Sequence, residues 1–244
     1  MAKTLENWFS SWFDTPYYHI LYRDRGYEEA GLFMKNLTSF LRLPKGSTIL
    51  DLACGKGRHS LFLSKLDFEV TGVDLSQNSI EFAKQFENSK LHFQVHDMCK
   101  PMDKEFDAVF NLFTSFGYFE AEEDNFRTIK AIKEELKEEG HGVIDFMNVK
   151  KVIRNLIPSE VKTVKGIDFR ITRNYHGGYI LKNIAFHDED ESYNFTEKVK
   201  ALTLEDFKEY FDRAGINLKH IFGSYQLEKY DEKESDRLIL VFSK

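Results

Sequence analysis

The chain has 244 residues, 42% of them hydrophobic and 30% charged, which excludes a disordered polypeptide and leaves room for one large domain with a real core. A net charge of −6 argues against a surface of clustered Lys and Arg, so nucleic acid is not an expected partner. Cys54 and Cys99 are too few for a disulfide framework, the start lacks a signal-peptide pattern, and the longest apolar run is 238–242; a cytoplasmic chain with no membrane span is expected.

Residues 1–43 read as helical and aromatic, with Trp8, Phe9, Trp12, Phe13, Tyr17, Tyr18 and Tyr22, and Pro44-Lys45-Gly46 breaks the pattern. Strands are then expected at 48–52 and 68–73, with helical sequence at 58–66 between them. Ser76 caps the next helix, with Leu75 and Ile80 spaced as a hydrophobic staple. Strands follow at 91–95 and 106–111. A helix over 122–139 has Phe126, Ile129, Ile132 and Leu136 on one face and Gly140 as its C′ residue, and a fifth strand runs over 142–147. Repeated βα units imply a parallel sheet with helices on both faces and right-handed crossovers. Residues 160–200 alternate as strands do, with turns at 176–178 and 188–191, predicting two hairpins or a three-stranded antiparallel insert. Thr203 caps a last helix, with Leu202 and Phe207 as its staple and Gly215 at its end. Strands at 216–222 and 237–242 close the chain as an antiparallel pair.

The informative stretch is Asp51-Leu52-Ala53-Cys54-Gly55-Lys56-Gly57-Arg58-His59. A glycine turn between a strand and a helix lets the backbone approach a ligand closely. Asp74 ends the second strand, where an acid accepts hydrogen bonds from ribose hydroxyls. Asp97 follows the third strand and, with Met98, is placed to flank an adenine ring. Asn111 closes the fourth. All converge on the carboxyl edge of the sheet, where ligands bind in such folds. An NAD-dependent oxidoreductase would share the Gly-x-Gly turn and the acid at 74, with Ser60 at the third-glycine position, but it leaves Asp51 and the Asp97-Met98 pair unexplained.

Asp51-x-x-x-Gly55-x-Gly57, Asp74 and Asp97-Met98 resemble, as an ordered set, the motifs of class I S-adenosylmethionine-dependent methyltransferases. The resemblance covers about residues 45–148, and the strand pair after 216 is similar to that family's reversed terminal hairpin. It implies an α/β, Rossmann-like mixed sheet of seven strands with the last antiparallel, and S-adenosylmethionine as cofactor with S-adenosylhomocysteine as product. Gly55 and Gly57, with Ala53 in the same turn, would approach the methionine part of the cofactor, and Asp51 would orient that turn or sit near the amino group. Asp74, with Leu75 beside it, would hold the ribose, and Asp97 with Met98 the adenine. Asn111 and His59 would complete the wall, and Tyr18 and Arg23 would reach the cofactor from the aromatic segment. No metal is called for.

The acceptor is less defined, because methyl transfer needs alignment more than a nucleophilic side chain. The segment after the fourth strand has no Asn/Asp-Pro-Pro-aromatic motif and no Pro-Cys. Its Ser115-Phe116-Gly117-Tyr118 is similar to an element of amino-sugar N-methyltransferases. The 160–200 insert resembles the lid of that group and of glycine N-methyltransferase-like enzymes. The resemblance thus implies a small-molecule acceptor methylated on N or O, with Tyr118 on its side. A cofactor-binding subunit without catalysis is the non-enzymatic alternative. His19, His59, Glu120 and His176 are further candidate bases. Asp145 is expected as a buried partner for an arginine or an acceptor ligand, and Lys56 and Arg58 as solvated. The chain divides into a helical cap (1–43), a cofactor-binding core (44–150), a lid (151–201) and a completing helix and strand pair (202–244). The oligomeric state is not legible.

Overall fold

The computed structural model describes residues 12–22 and 27–244. Expectations for Trp8, Phe9 and Arg23 lie outside these residues. Seven strands form one sheet in the order β10-β11-β5-β4-β1-β2-β3. They are β1 (Thr48–Leu52), β2 (Glu69–Asp74), β3 (Leu91–Val95), β4 (Phe106–Asn111), β5 (Leu136–Met147), β10 (Asn217–Phe222) and β11 (Arg237–Ser243). β11 runs antiparallel to both β5 and β10, and the pairs among β1 to β5 are parallel.

Strand alternation divides the core into two layers. Leu50 and Leu52 face a layer built with α5 (Glu122–Glu135) and α7 (Leu204–Ala214), where Ile129, Ile132, Phe207 and Phe211 are buried. Ile49, on the other face, joins Phe33, Met34 and Leu37 of α2 (Tyr27–Phe40), Leu63 of α3 (Arg58–Lys65) and Ile80 of α4 (Gln77–Ala83). β11 follows the same rule, with Leu238, Leu240 and Phe242 on the first face and Ile239 and Val241 on the second. Its apolar run, 238–242, is therefore a strand buried on both sides. No helix among the described residues is long and apolar enough to cross a membrane.

Two helix boundaries depend on capping. Thr203 and Asp206 form a reciprocal capping box at the start of α7, and Gly215 ends it at φ 64°. α5 stops four residues short of the expected Glu139. Leu136 is already extended (φ −84°, ψ 134°), fully buried and paired with Phe106, and the register with β4 then shifts before Ala108 meets His141. Burying Leu136 against the sheet wins over another helical turn, so Gly140 lies inside β5 rather than at a helix end. Leu75 is half exposed while Ile80 is buried, so the expected staple at α4 does not close.

The insert is a separate four-stranded antiparallel sheet, β6 (Ser159–Val164), β7 (Ile167–His176), β8 (Tyr179–Asp188) and β9 (Glu191–Lys200). The unforeseen turn is Lys165-Gly166, at φ 51° and 83°. One face of this sheet packs on α1 (Pro16–Leu21), with Trp12 and Leu21 against Phe169, Ile184 and Phe186. Polar contacts fix the junction. Trp12 Nε1 and the Tyr22 hydroxyl donate to Glu197 Oε1 at 2.8 and 2.6 Å, and the Tyr17 hydroxyl donates to Asp188 at 2.9 Å. α6 (Val149–Arg154) leads from β5 to this sheet.

Candidate functional site

A cavity of about 650 Å³ opens at the carboxyl ends of β1, β2 and β3, a volume in the range of small-molecule and cofactor sites. Asp51, Ala53, Gly55, His59, Asp74, Leu75, Asp97, Met98, Tyr18 and Tyr118 all line it. Asn111 and Gly57 do not. Asn111 is fully buried beneath the wall, its Nδ2 3.4 Å from Leu52 O and 3.7 Å from Met98 Sδ, with its Oδ1 unpaired. Gly57 sits at φ 77° and starts α3, and a Cβ there would lie 2.5 Å from the Phe93 ring. Its glycine is demanded by packing and by a left-handed backbone rather than by the cavity.

The glycine turn is tied internally. Cys54 N donates to Val73 O at 2.9 Å, Gly55 N to Asp74 Oδ2 at 2.8 Å, and Gly57 N to Cys54 O at 3.0 Å. An anion cradle needs free amides, and the bonds of Cys54, Gly55 and Gly57 leave this turn fewer of them for a pyrophosphate. Asp74 also accepts the Ser76 amide on Oδ1 at 2.8 Å, and its side chain lines the cavity. Burial raises the Asp74 pKa above the ordinary carboxylate value, against the pull of these amides.

Asp51 is nearly inaccessible, and the Ser60 hydroxyl donates to its Oδ2 at 2.5 Å. Burial pushes its pKa up to about 7, with nearby Asp74 adding to the rise. The site thus holds a buried acid that ionises only around neutral pH and whose charged form a nearby cation would favour. Ser60, at the third-glycine position, is occupied with Asp51. Asp97 accepts the Cys99 amide at 3.0 Å and faces Lys100 at 3.7 Å. Leu75, Phe82 and Met98 give that end of the cavity an apolar lining. These features fit an adenosyl group linked to a cationic tail.

A second cavity of about 320 Å³ shares Phe13, Tyr18, Arg58, Phe113 and Tyr118 with the first. It is completed by Glu29 of α2, by Thr114, Met147, Tyr225 and Arg237 of the core and by Glu197 and Val199 of β9. Phe113 is the common wall. Its ring stacks on His59, centroids 4.4 Å apart and 1° from parallel, and the Arg58 guanidinium lies 5.6 Å from its centroid. Arg58 Nη2 is 3.0 Å from His59 Nε2. Burial and this guanidinium push the His59 pKa down to about 3, so the ring is neutral and a very weak base. The Tyr118 hydroxyl donates to Thr114 O at 2.6 Å. Of the other candidate bases, Glu120 is exposed and paired with Lys198, and His176 is exposed at the tip of the β7–β8 hairpin. Asp145 is the buried partner of Arg237.

Sequence reasoning missed Phe113, Arg58, Lys56 and Arg237 as lining residues. Phe113 and Thr114 are consecutive non-glycine residues at φ 57° and 62°, a conformation that no residue type announces. Arg237 lies 123 positions beyond Thr114, and only the antiparallel β11 brings them together.

Residues 49–140 match the model of a methyltransferase domain. The chain is 27% identical over 208 residues to YqeM of Bacillus subtilis (strain 168), a protein named as a methyltransferase, covering 80% of this chain and 83% of that one. It is 29% identical over 106 residues to a dTDP-3-amino-3,4,6-trideoxy-alpha-D-glucopyranose N,N-dimethyltransferase of Streptomyces venezuelae, covering 43% and 44% of the two chains. Among solved structures, an S-adenosylmethionine-dependent methyltransferase from Clostridium acetobutylicum superposes with a TM-score of 0.77, at 21% identity over 98% of both chains. The methyltransferase-domain match over residues 49–140 and the bonded amides of Gly55 and Gly57 weigh against the dinucleotide alternative.

Proposed function

We propose that this chain, an S-adenosylmethionine-dependent methyltransferase by its domain and relatives, methylates an N or O atom of a small molecule held in the smaller cavity. The observation that carries the reading is the shared wall. The two cavities share Phe13, Tyr18, Arg58, Phe113 and Tyr118 as lining, so an acceptor in the smaller one would lie directly beside a cofactor in the larger. When bound, the cofactor supplies an electrophilic methyl on a sulfonium. This chain's residues orient the partners and exclude water.

In this reading Asp74 accepts from the ribose, Asp97 and Met98 flank the adenine, and Gly55 and Ala53 let the backbone pass close to the tail. Asp51 faces the tail's amino group. Tyr118 orients the acceptor. Its hydroxyl donates to Thr114 O at 2.6 Å, which fixes the ring where it lines both cavities. The aromatic faces of Tyr18 and Phe13 suit a cationic centre. β6–β9 act as a lid, with Glu197 and Val199 closing the acceptor side. The sugar N,N-dimethyltransferase relative, and a glycine/sarcosine N-methyltransferase of Aphanothece halophytica 28% identical over 152 residues, favour an amine as acceptor.

The test is a panel of amino sugars, amino acids and polyamines, with RNA and protein as controls, scored by S-adenosylhomocysteine release. Turnover on a small amine supports the reading, and methyl label found only in RNA or protein overturns it.

A further inference from the structure

We propose that His19 is a ligand of the cofactor's ribose, acting together with Asp74. The inference rests on the cofactor reading above and assigns a role to a residue that reading leaves unused. His19 lies on α1, and its ring lines the larger cavity but not the smaller. Its Nε2 is buried and has no hydrogen-bond partner among the described residues. A buried ring nitrogen left unpaired is costly, and a ligand group in the cavity would remove that cost.

Two observations and one chemical argument favour the ribose as its partner. Asp14, whose charge acts on the His19 ring, accepts from the Ser76 hydroxyl in a short contact and from Asn78 Nδ2 at 3.4 Å. The Ser76 amide is in turn bound to Asp74, so the approach to α1 is stitched to the turn that carries the ribose acid. Burial, with the charge of Lys56, pushes the His19 pKa down to about 4. The ring is therefore neutral, with one donor and one acceptor nitrogen, which matches a hydroxyl. Finally, a hydroxyl that donates to Asp74 keeps lone pairs that no carboxylate can satisfy, and a histidine N–H can.

The test is calorimetric titration of the wild-type chain, His19→Ala and His19→Gln. The ligands are S-adenosylhomocysteine, 5′-methylthioadenosine, which keeps the ribose and lacks the amino-acid end, and the 2′-deoxy and 3′-deoxy forms of the latter. Thermal melts confirm that each variant is folded. We expect His19→Ala to weaken both parent ligands by about tenfold, His19→Gln to recover part of the loss, and the penalty to vanish with one deoxy analogue. Equal binding by wild type and variant overturns the proposal. So does a loss confined to S-adenosylhomocysteine, which would put the ring at the amino-acid end, or a penalty that persists with both deoxy analogues. If the wild-type chain binds neither parent ligand, the cofactor reading itself falls; wild-type binding with no effect at His19 sinks this inference alone.

Discussion

The fully buried carboxylate of Asp145 accepts from Arg237 Nε at 2.7 Å on one oxygen and from the Phe113 amide at 2.8 Å on the other. Arg237 also donates to the Thr114 hydroxyl at 2.9 Å, and Thr114 N donates to Asp145 O at 2.9 Å. This pair thereby holds two left-handed residues, Phe113 and Thr114, that would otherwise relax at a gain of about 1–2 kcal/mol each. The wall between the two cavities depends on that clamp.

Removing the cation leaves a buried charge without its partner. Arg237→Ala is expected to lower stability by about 3–5 kcal/mol, read from the urea midpoint at unchanged slope. Arg237→Lys, which keeps the charge but loses the planar fork, should fall between. A loss below about 1 kcal/mol, the size expected of a surface ion pair, would show that the clamp does not hold the turn.

The glycines of the turn should separate in their effects. Gly57→Ala brings a methyl to 2.5 Å from Phe93 at φ 77°, so overpacking and backbone strain together should cost about 2–5 kcal/mol. Gly55 has open space around its missing Cβ at φ 54°. Gly55→Ala should cost only about 1–2 kcal/mol in stability while weakening S-adenosylhomocysteine, because the methyl enters the cavity. Thermal melts paired with calorimetry distinguish the two. Equal stability losses would refute the assignment.

Asp51 predicts a pH dependence. Its folded pKa of about 7 lies above the ordinary 3.8, so its ionisation costs stability progressively as pH rises from 3.8 to about 7. A cationic ligand tail reverses that preference, and cofactor affinity should increase from pH 6 to 8 with proton release on binding. Asp51→Asn should be the more stable chain at pH 8 and lose the pH dependence of binding. Calorimetry in two buffers of different ionisation enthalpy checks both. Affinity that is flat across this range would remove Asp51 from contact with the tail.

The order of β1 to β5 and the reversed strand near the end were legible because each rests on local signals. These were apolar runs of strand length, Ser76 and Thr203 as caps, and Gly215 as a stop. The α5 boundary was not, because Leu136 continues the helical stripe and only its pairing with Phe106 makes it a strand. The turn between the first two strands of the insert was hidden at Lys165, a non-glycine residue at φ 51°. In the site, Asp51, Asp74 and Asp97 could be placed because acids at strand ends have few structural reasons to be there. The wall of the smaller cavity could not be placed, since Phe113, Tyr225 and Arg237 are assembled from distant elements by packing and by one buried ion pair.

The central claim is that the larger cavity binds S-adenosylmethionine through Asp74. Calorimetric titration of S-adenosylmethionine and S-adenosylhomocysteine into the wild-type chain and Asp74→Ala tests it most directly. Expected are a dissociation constant of ~1–100 μM for the wild type and no measurable binding for a folded Asp74→Ala chain. No heat with either ligand, or an Asp74→Ala chain that binds as the wild type does, would contradict it.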